Sequence, residues 1–297
     1  MTFLASRRLL LSGNSFIMKE NENILNSSES YKAYMDSPYM SMKHDSYFHV
    51  YDYLFRKYKN KNITFVEVGI LQGGSLFMWR KFFGPKARII GIDLNEKAKK
   101  WSEYGFEIYI GSQSDEAFWQ EIRHEIGPID ILLDDGGHTY DQQIITFESM
   151  IDNINDGGLL VVEDTHTSYM SGFGPKQFTF TNFCKEMLDN INQRFGGFNA
   201  RYEEKRIWSM EVFESIIAFK VDRSLSNIKS TATENNGLSE DVHEYRYSDN
   251  VSIQIFKSLA KKFYYFKKYR ILYSIFIKIQ SHLATRNFKS KKFFGRN

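Results

Sequence analysis

The sequence predicts an α/β fold with a doubly wound, mostly parallel sheet. Three observations lead to this prediction. Short runs of β-branched and apolar residues alternate with stretches of helical periodicity between residues 63 and 162. Residues 129–133 are apolar apart from Asp130, as expected for a strand covered on both faces. Glycine and acidic residues follow the strands, where the loops of such a sheet bind ligands.

The predicted elements follow in order along the chain. Residues 1–40 are polar and lack periodicity, which predicts a flexible N-terminal arm. An amphipathic helix is predicted over residues 44–58, before the core. The core is predicted to contain strands 63–68, 88–92, 106–110, 129–133 and 159–162, and helices 75–83, 116–126, 140–154 and 183–191. Two further apolar runs, 207–213 and 216–221, predict an antiparallel hairpin at the sheet edge.

The charge distribution separates the chain into regions. The α/β domain is predicted to span residues 41–223, followed by a polar linker over 224–250 and a basic, amphipathic helical tail over 251–297. The tail carries 12 basic residues and no acidic one, while the remaining chain has 27 basic against 36 acidic residues, a net charge of −9. Such a split indicates a tail with its own partner.

Composition excludes several kinds of site. The single cysteine, Cys184, allows neither an intrachain disulfide nor a cysteine-based zinc site, and it fits a reducing, cytoplasmic location. The apolar run at residues 9–11 is too short for a signal peptide, and no stretch of about 18 apolar residues predicts a transmembrane helix.

The first predicted strand runs into a glycine-containing loop. Gly69 and Gly73 have the spacing G-x-x-x-G, which differs from the pyrophosphate-binding pattern and favours a cofactor without phosphates. Asp93 ends the second strand, where a carboxylate can accept hydrogen bonds from a ribose diol. The alternative is that these residues form ordinary tight turns of an α/β protein.

Two later strands each end in a pair of acids. Asp134 and Asp135 follow one strand, and Glu163 and Asp164 follow the next. Because parallel strands end at the same edge, the four carboxylates should converge, and their repulsion is relieved by a shared cation. Oxygen ligands favour Mg²⁺, with Mn²⁺ or Ca²⁺ as alternatives. Helix capping by aspartate is the competing explanation.

His138 lies three residues after Asp135, behind two glycines. Histidine is the usual general base near neutral pH, so beside a carboxylate cluster we interpret it as the catalytic base. A solvent-exposed histidine at a helix start is the alternative.

A resemblance to a known family adds to these patterns. The segment from Glu67 to Gly74, together with Gly91-Ile92-Asp93, resembles the cofactor motifs of class I S-adenosylmethionine-dependent methyltransferases. The resemblance implies a Rossmann-like fold that binds S-adenosylmethionine. By resemblance, Gly69 and Gly73 line its methionine end, Asp93 holds the ribose and Gln113 lies near the adenine. The predicted cofactor-binding residues are Glu67, Gly69, Gly73, Asp93, Gln113 and Asp134.

Residues 133–140 and 157–169 resemble a narrower group. They are similar to the metal-dependent sugar O-methyltransferases of macrolide biosynthesis, which are grouped with rhamnosyl O-methyltransferases and cephalosporin hydroxylase-like proteins. The resemblance covers about residues 46–221 and implies metal ligation by Asp135, Glu163 and Asp164, with His138 as the base.

The predicted function is S-adenosylmethionine- and metal-dependent O-methylation of a sugar hydroxyl in a glycan or glycoside. The alternatives are a metal-dependent hydrolase or hydroxylase-like enzyme with the same carboxylates, and a non-catalytic membrane-associated scaffold. One expected partner is a carbohydrate acceptor, for which a lipid-linked glycan is one candidate. The other is an anionic membrane surface bound by the tail. Nucleic acid is not expected, because the acidic body would repel it. A homo-oligomer is compatible with the sequence.

Overall fold

The structure is a computed structural model. It describes residues 25–195, 203–240, 245, 248, 250–262, 274, 275, 278, 279, 281 and 282. These residues fall into two compact units, divided after Thr231. The first unit contains the sheet, and the second contains a helix that begins at Val251.

A seven-stranded sheet forms the centre of the first unit. Its strands are β1 (Thr64–Val68), β2 (Arg88–Asp93), β3 (Glu107–Ile110), β4 (Ile129–Asp134), β5 (Ile154–Val162), β6 (Ile207–Val212) and β7 (Ile217–Val221). Their order is β3-β2-β1-β4-β5-β7-β6. Strands β1 to β5 are parallel, whereas β7 pairs antiparallel with both β5 and β6. The predicted fold class, including the antiparallel hairpin at the edge, is confirmed.

Helices connect the strands and cover the sheet. The α-helices are α1 (Glu29–Met35), α2 (Tyr47–Phe55), α3 (Gly74–Phe83), α4 (Glu116–Ile126), α5 (Tyr140–Met150), α6 (Phe180–Asn192), α7 (Arg223–Ser226) and α8 (Val251–Lys262). Short 3₁₀ helices occupy Arg56–Tyr58, Glu96–Tyr104, Ile151–Asn153, Thr165–Tyr169 and Lys176–Phe178. Thr139 and Gln142 form a reciprocal capping box that begins α5 directly after the loop carrying His138.

Strand β5 begins earlier than the predicted residue 159. The helix predicted to continue to Ile154 ends at Met150, and β5 already pairs with β4 at Ile154. Residues 155–158 are Asn, Asp, Gly and Gly, a composition typical of a turn. Ile129 of β4 pairs with Ile154 and Ile131 pairs with Leu159, so residues 155–158 form an irregular bulge between these two pairs, in which Gly157 has φ +86°.

The core lies on both faces of the sheet. Phe65 packs in one hydrophobic cluster with the aromatic side chains of α2 and α3, whereas its neighbour Val66 packs in the other with α4, α5 and α6. This alternation is what a parallel sheet covered on both faces requires. Trp79, Trp119 and Phe147 are among the largest fully buried side chains.

Residues 25–40 differ from the predicted flexible arm. Helix α1 is fixed by Asp52 of α2, whose carboxylate oxygens accept the backbone N–H groups of Glu29 and Ser30, both at 2.9 Å. The rings of Tyr31 and Tyr34 lie 5.1 Å from that of Phe48, between centroids. The polar composition hid this helix because its contacts come from α2, far along the chain. Residues 1–24 of the predicted arm lie outside the described residues.

The predicted helical tail begins in the second unit with α8. Residues 263–273 and 283–297, which carry much of its basic charge, lie outside the described residues. Within the described part of the chain, no helix is both long and apolar enough to span a bilayer. Helix α7 crosses the predicted boundary between the α/β domain and the linker at residues 223 and 224, and the domain boundaries otherwise stay predictions.

Candidate active site

Pairing of β1, β4 and β5 brings the acidic residues to one edge of the sheet. Val68 is aligned with Asp134, and Asp134 with Val162. Just beyond the strands, the backbone N–H of Asp135 donates to the carbonyl of Val68, and that of Glu163 donates to the carbonyl of Asp134, both at 2.9 Å. The two acid pairs therefore converge as the sequence predicts.

Asp135, His138 and Asp164 form a compact group of potential metal ligands. One ligand atom from each side chain lies within 4.8 Å of the others. His138 Nε2 is 3.2 Å from Asp164 Oδ2, and the buried Nδ1 of His138 has no hydrogen-bond partner among the described residues. His138, Asp164 and the neighbouring Ser215 have left-handed backbone, with φ of 58°, 53° and 62°. Such strain at non-glycine residues clusters at functional sites.

Glu163 lies deeper and is already bonded. It is fully buried; Oε1 accepts a hydrogen bond from Tyr51 Oη at 2.6 Å, and Oε2 accepts one from Lys43 Nζ at 3.0 Å. Lys43 also donates to Asp135 Oδ2 at 2.6 Å. Both oxygens of Glu163 therefore already accept hydrogen bonds from protein donors. The compact group contains His138, and not Glu163, beside Asp135 and Asp164.

Lys43 neutralises this buried cluster. Burial by itself would lower the pKa of Lys43, but Asp135, Glu163 and Glu67 surround the ammonium and raise that pKa well above its usual value. Burial raises the pKa of Glu163 well above that of a free glutamate, and Lys43 opposes this shift. The ammonium therefore stays charged and holds Glu163 and Asp135 in place.

The sequence reasoning missed Lys43 and Tyr51. A lysine in a chain with 39 basic residues carries no signal of its own. In the sequence, Tyr47 and Tyr51 belong to the apolar face of the amphipathic helix predicted over residues 44–58. Their four-residue spacing places both hydroxyls toward the acids, with Tyr47 donating to Asp164 and Tyr51 to Glu163. The sequence signal for this role was the presence of tyrosine, and not phenylalanine, on two successive turns of the helix.

The glycines of the loop after β1 are required by close packing. Gly69 has φ +83°, and a Cβ there would lie 2.2 Å from the carbonyl oxygen of Asp135. Gly73 has φ +80°, and its Cβ would lie 2.3 Å from the Trp101 ring. Gly69 thus lets the glycine loop contact the loop that carries Asp135, which places the two predicted sites side by side.

Asp93 and Glu67 fix this glycine loop from two sides. Asp93 Oδ2 accepts the backbone N–H groups of Ile70 and Leu71, both at 3.1 Å. Glu67 is fully buried and accepts hydrogen bonds from Ser75 Oγ at 2.7 Å and Trp79 Nε1 at 3.0 Å. Burial raises the pKa of Glu67 to about 7. Both acids shape the loop, and their contact with a cofactor stays a prediction.

Gln113 and Asp134 connect the loops after β3 and β4. Gln113 Nε2 donates to Asp134 Oδ1 at 3.1 Å, and Gln113 Oε1 accepts the backbone N–H of Gly137 at 2.8 Å. Both side chains are buried, and burial raises the pKa of Asp134 to about 7. This network supports the backbone just before His138.

Comparisons with known proteins agree with this architecture. Residues 66–165 match the family model described as a methyltransferase domain. Mycinamicin VI 2''-O-methyltransferase of Micromonospora griseorubida is 33% identical over 157 residues, covering 48% of this chain and 39% of that protein. Demethylmacrocin O-methyltransferase of Streptomyces fradiae is 28% identical over 183 residues, covering 56% of this chain and 46% of that protein. The chain spans less than half the length of these curated relatives.

A similar structure is the MycE methyltransferase from the mycinamycin biosynthetic pathway, in complex with Mg, SAH and mycinamycin VI. It superposes with a TM-score of 0.61 and 28% identity, covering 69% of this chain and 55% of that chain. The sheet order and the family match over residues 66–165 make this part of the chain similar to a methyltransferase domain with a Rossmann-like sheet. Within that class, the predicted resemblance to macrolide sugar O-methyltransferases is confirmed.

We expect Lys43→Met to destabilise the protein by about 3–5 kcal/mol at neutral pH, because it leaves buried carboxylates without their counter-charge. This loss of stability should shrink as the pH is lowered, since protonation of Glu163, whose pKa is already raised by burial, removes an unpaired charge. Chemical denaturation at several pH values measures both effects. Lys99→Met, at an exposed lysine, is the control and should change stability by less than about 0.5 kcal/mol. Equal losses in the two variants would contradict the role of Lys43.

Proposed function

We propose that this protein is an S-adenosylmethionine-dependent, divalent-metal-dependent O-methyltransferase acting on a sugar hydroxyl of a glycan or glycoside. The proposal is carried by the convergence of Asp135, His138 and Asp164 beside the glycine loop of a methyltransferase fold. The names of the relatives support a carbohydrate acceptor, because they describe methylation of sugars on macrolides and related glycosides.

The residues fit a hard divalent cation. Asp135 and Asp164 offer carboxylate oxygens, which Mg²⁺ prefers, and Mn²⁺ or Ca²⁺ accept the same ligands. The family resemblance adds Glu163 as a ligand. In this chain its two oxygens already accept bonds from Lys43 and Tyr51, so Glu163 would have to share an oxygen with the metal. The unpartnered Nδ1 of His138 is a further sign of a missing ligand or substrate.

His138 is proposed as the base. When bound, S-adenosylmethionine supplies an electrophilic methyl group, and the divalent cation supplies positive charge that acidifies a hydroxyl. His138 takes the hydroxyl proton, and the carboxylate of Asp164, 3.2 Å from Nε2, stabilises the resulting imidazolium. The protein otherwise contributes orientation through its fixed loops.

The segment after β5 is proposed to contact the acceptor. Tyr140 Oη donates to the carbonyl oxygens of Thr167 and Met170, at 3.2 and 3.0 Å, and so anchors this segment to the start of α5. Tyr169, the last residue of the 3₁₀ helix that follows Asp164, is 81% exposed. An exposed aromatic ring next to a catalytic site is suited to packing against a sugar face.

The tail is proposed to place the enzyme at the inner membrane face, near a lipid-linked glycan. Its 12 basic residues are interleaved with aromatic and aliphatic ones, a composition typical of helices that bind anionic lipid surfaces. A membrane-peripheral enzyme would meet a lipid-linked acceptor directly, and its S-adenosylmethionine would come from the cytoplasm.

Removing the metal tests the proposed chemistry. EDTA should abolish methyl transfer and Mg²⁺ should restore it. Asp135→Asn should abolish turnover with little effect on S-adenosylhomocysteine affinity in calorimetry, since Asp135 faces the acceptor. Asp141→Asn, an exposed acid in the first turn of α5, should retain activity. Full activity in excess chelator would remove the metal from the mechanism, and no binding of S-adenosylhomocysteine would argue against a methyltransferase.

The base is tested by His138→Ala, which should lower kcat by about 10²–10⁴-fold. Activity should partly recover as the pH rises, because hydroxide substitutes for the base. His124→Ala removes an exposed histidine of α4 and should leave kcat unchanged. A loss below roughly tenfold for His138→Ala would exclude it as the base.

Liposome sedimentation tests the tail. Full-length protein should sediment with anionic vesicles at low salt and be released at high salt, whereas a chain ending at Asp249 should stay in the supernatant. Neutral vesicles are the control for lipid charge. If full-length protein also stays in the supernatant on anionic vesicles at low salt, the tail does not bind membranes.

A further inference from the structure

We propose a second cation site, formed by His44, Asp164 and His166, that binds Zn²⁺ and thereby inhibits the neighbouring methyl-transfer site. One nitrogen from each histidine and one oxygen of Asp164 lie within 4.8 Å of one another. The site itself does not depend on the proposed methyltransferase activity; only its inhibitory effect does.

The two oxygens of Asp164 face different groups. Oδ2 lies 3.2 Å from Nε2 of His138, the proposed base, and Asp164 and Asp135 are the carboxylates that we propose hold Mg²⁺. Oδ1 lies 4.0 Å from His44 Nε2 and 3.8 Å from His166 Nδ1. A carboxylate in this position can serve one ion with each oxygen. The outer site is therefore adjacent to the inner one and shares a single residue with it.

The spacing of the outer ligands is close to what a metal requires. Donor atoms ~2.1 Å from a tetrahedral ion lie ~3.4 Å apart, so each nitrogen must approach Oδ1 by about half an ångström. The two nitrogens lie within 4.8 Å of each other and must approach by at most about 1.4 Å. The two imidazole rings are 5.9 Å apart between centroids and nearly perpendicular, at 86°. Their side chains are 66% and 45% exposed, so small rotations can close the gap and an ion can enter from solvent.

Tyr47 and Ser215 support this arrangement. The hydroxyl of Tyr47 donates to Asp164 Oδ1 and is hydrogen-bonded to Ser215 Oγ at 2.8 Å. Ser215 Oγ also bonds to His166 Nδ1, and the carbonyl of Ser215 accepts the backbone N–H of Thr165 at 3.1 Å. Asp164 and Ser215 both have left-handed backbone, and their side chains both lie next to His166 Nδ1. Metal binding exchanges the Ser215–His166 hydrogen bond for a metal–nitrogen bond.

The donor set selects the ion. Two imidazoles and one carboxylate suit Zn²⁺, whereas Mg²⁺ favours oxygen ligands. A cation on Oδ1 withdraws the negative charge of Asp164 from the inner group. Asp164 then binds the inner cation less well and stabilises the His138 imidazolium less well. Occupancy of the outer site should consequently inhibit methyl transfer even with Mg²⁺ in excess.

The test is a Zn²⁺ titration of the full-length protein by calorimetry, with saturating Mg²⁺ present. The wild type should bind one Zn²⁺ equivalent through the outer site, and His44→Gln should weaken that binding at least tenfold. His49→Gln, an exposed histidine on α2, is the matched control and should bind as the wild type does. His44→Cys should restore binding, because a thiolate is a good Zn²⁺ ligand.

Two further measurements separate the outer site from the inner one. Asp135→Asn disables the proposed inner site but should still bind Zn²⁺, and Co²⁺ bound in place of Zn²⁺ should give a visible absorption spectrum that is lost in His44→Gln. Zn²⁺ should inhibit Mg²⁺-dependent turnover of the wild type at concentrations that leave His44→Gln active. Equal Zn²⁺ affinity of the wild type, His44→Gln and His49→Gln would overturn the proposal. Loss of Zn²⁺ binding in Asp135→Asn but not in His44→Gln would place the ion in the inner group instead.

Discussion

The ammonium group of Lys43 is the contact on which the site depends. It lies within 3.0 Å of Asp135 and Glu163 and 3.7 Å from Glu67, with its side chain almost completely buried. Parallel strand pairing brings these carboxylates together, and their repulsion in this buried region would oppose folding. The buried ammonium of Lys43 offsets that repulsion. Asp164 and the Oδ1 atom of Asp135 receive no hydrogen bond from Lys43 and can bind a ligand.

The fold could be predicted from the sequence because it depends on local patterns. Alternating apolar runs specify β1 to β4 and helices such as α4, whose bounds at Glu116 and Ile126 match the prediction. The early start of β5 could not be predicted, because the pairing of Ile154 with Ile129 is separated from the rest of the ladder by an irregular bulge of turn composition at 155–158. Helix α1 was hidden for a similar reason, since Asp52 fixes it from a distant position.

The candidate site was predictable where its residues follow strands. Asp135, Glu163 and Asp164 converge because they end adjacent strands, and the motif around His138 places it beside them. The contribution of Lys43 was not predictable, because the lysine reaches the acids through the tertiary packing of α1 and α2. Tyrosines on a helix face can be either core residues or hydrogen-bond donors, and only the folded position decides between them.

The attachment of α1 to α2 has a consequence for how such a domain can evolve. The positive charge that balances the acids lies before β1, outside the alternating strands and helices that recur in this class of fold. A gene fusion or truncation that kept the sheet intact but began at Thr64 would inherit the acids without their counter-ion. The segment before Thr64 is therefore part of what allows these acids to be buried together, although it contributes no strand.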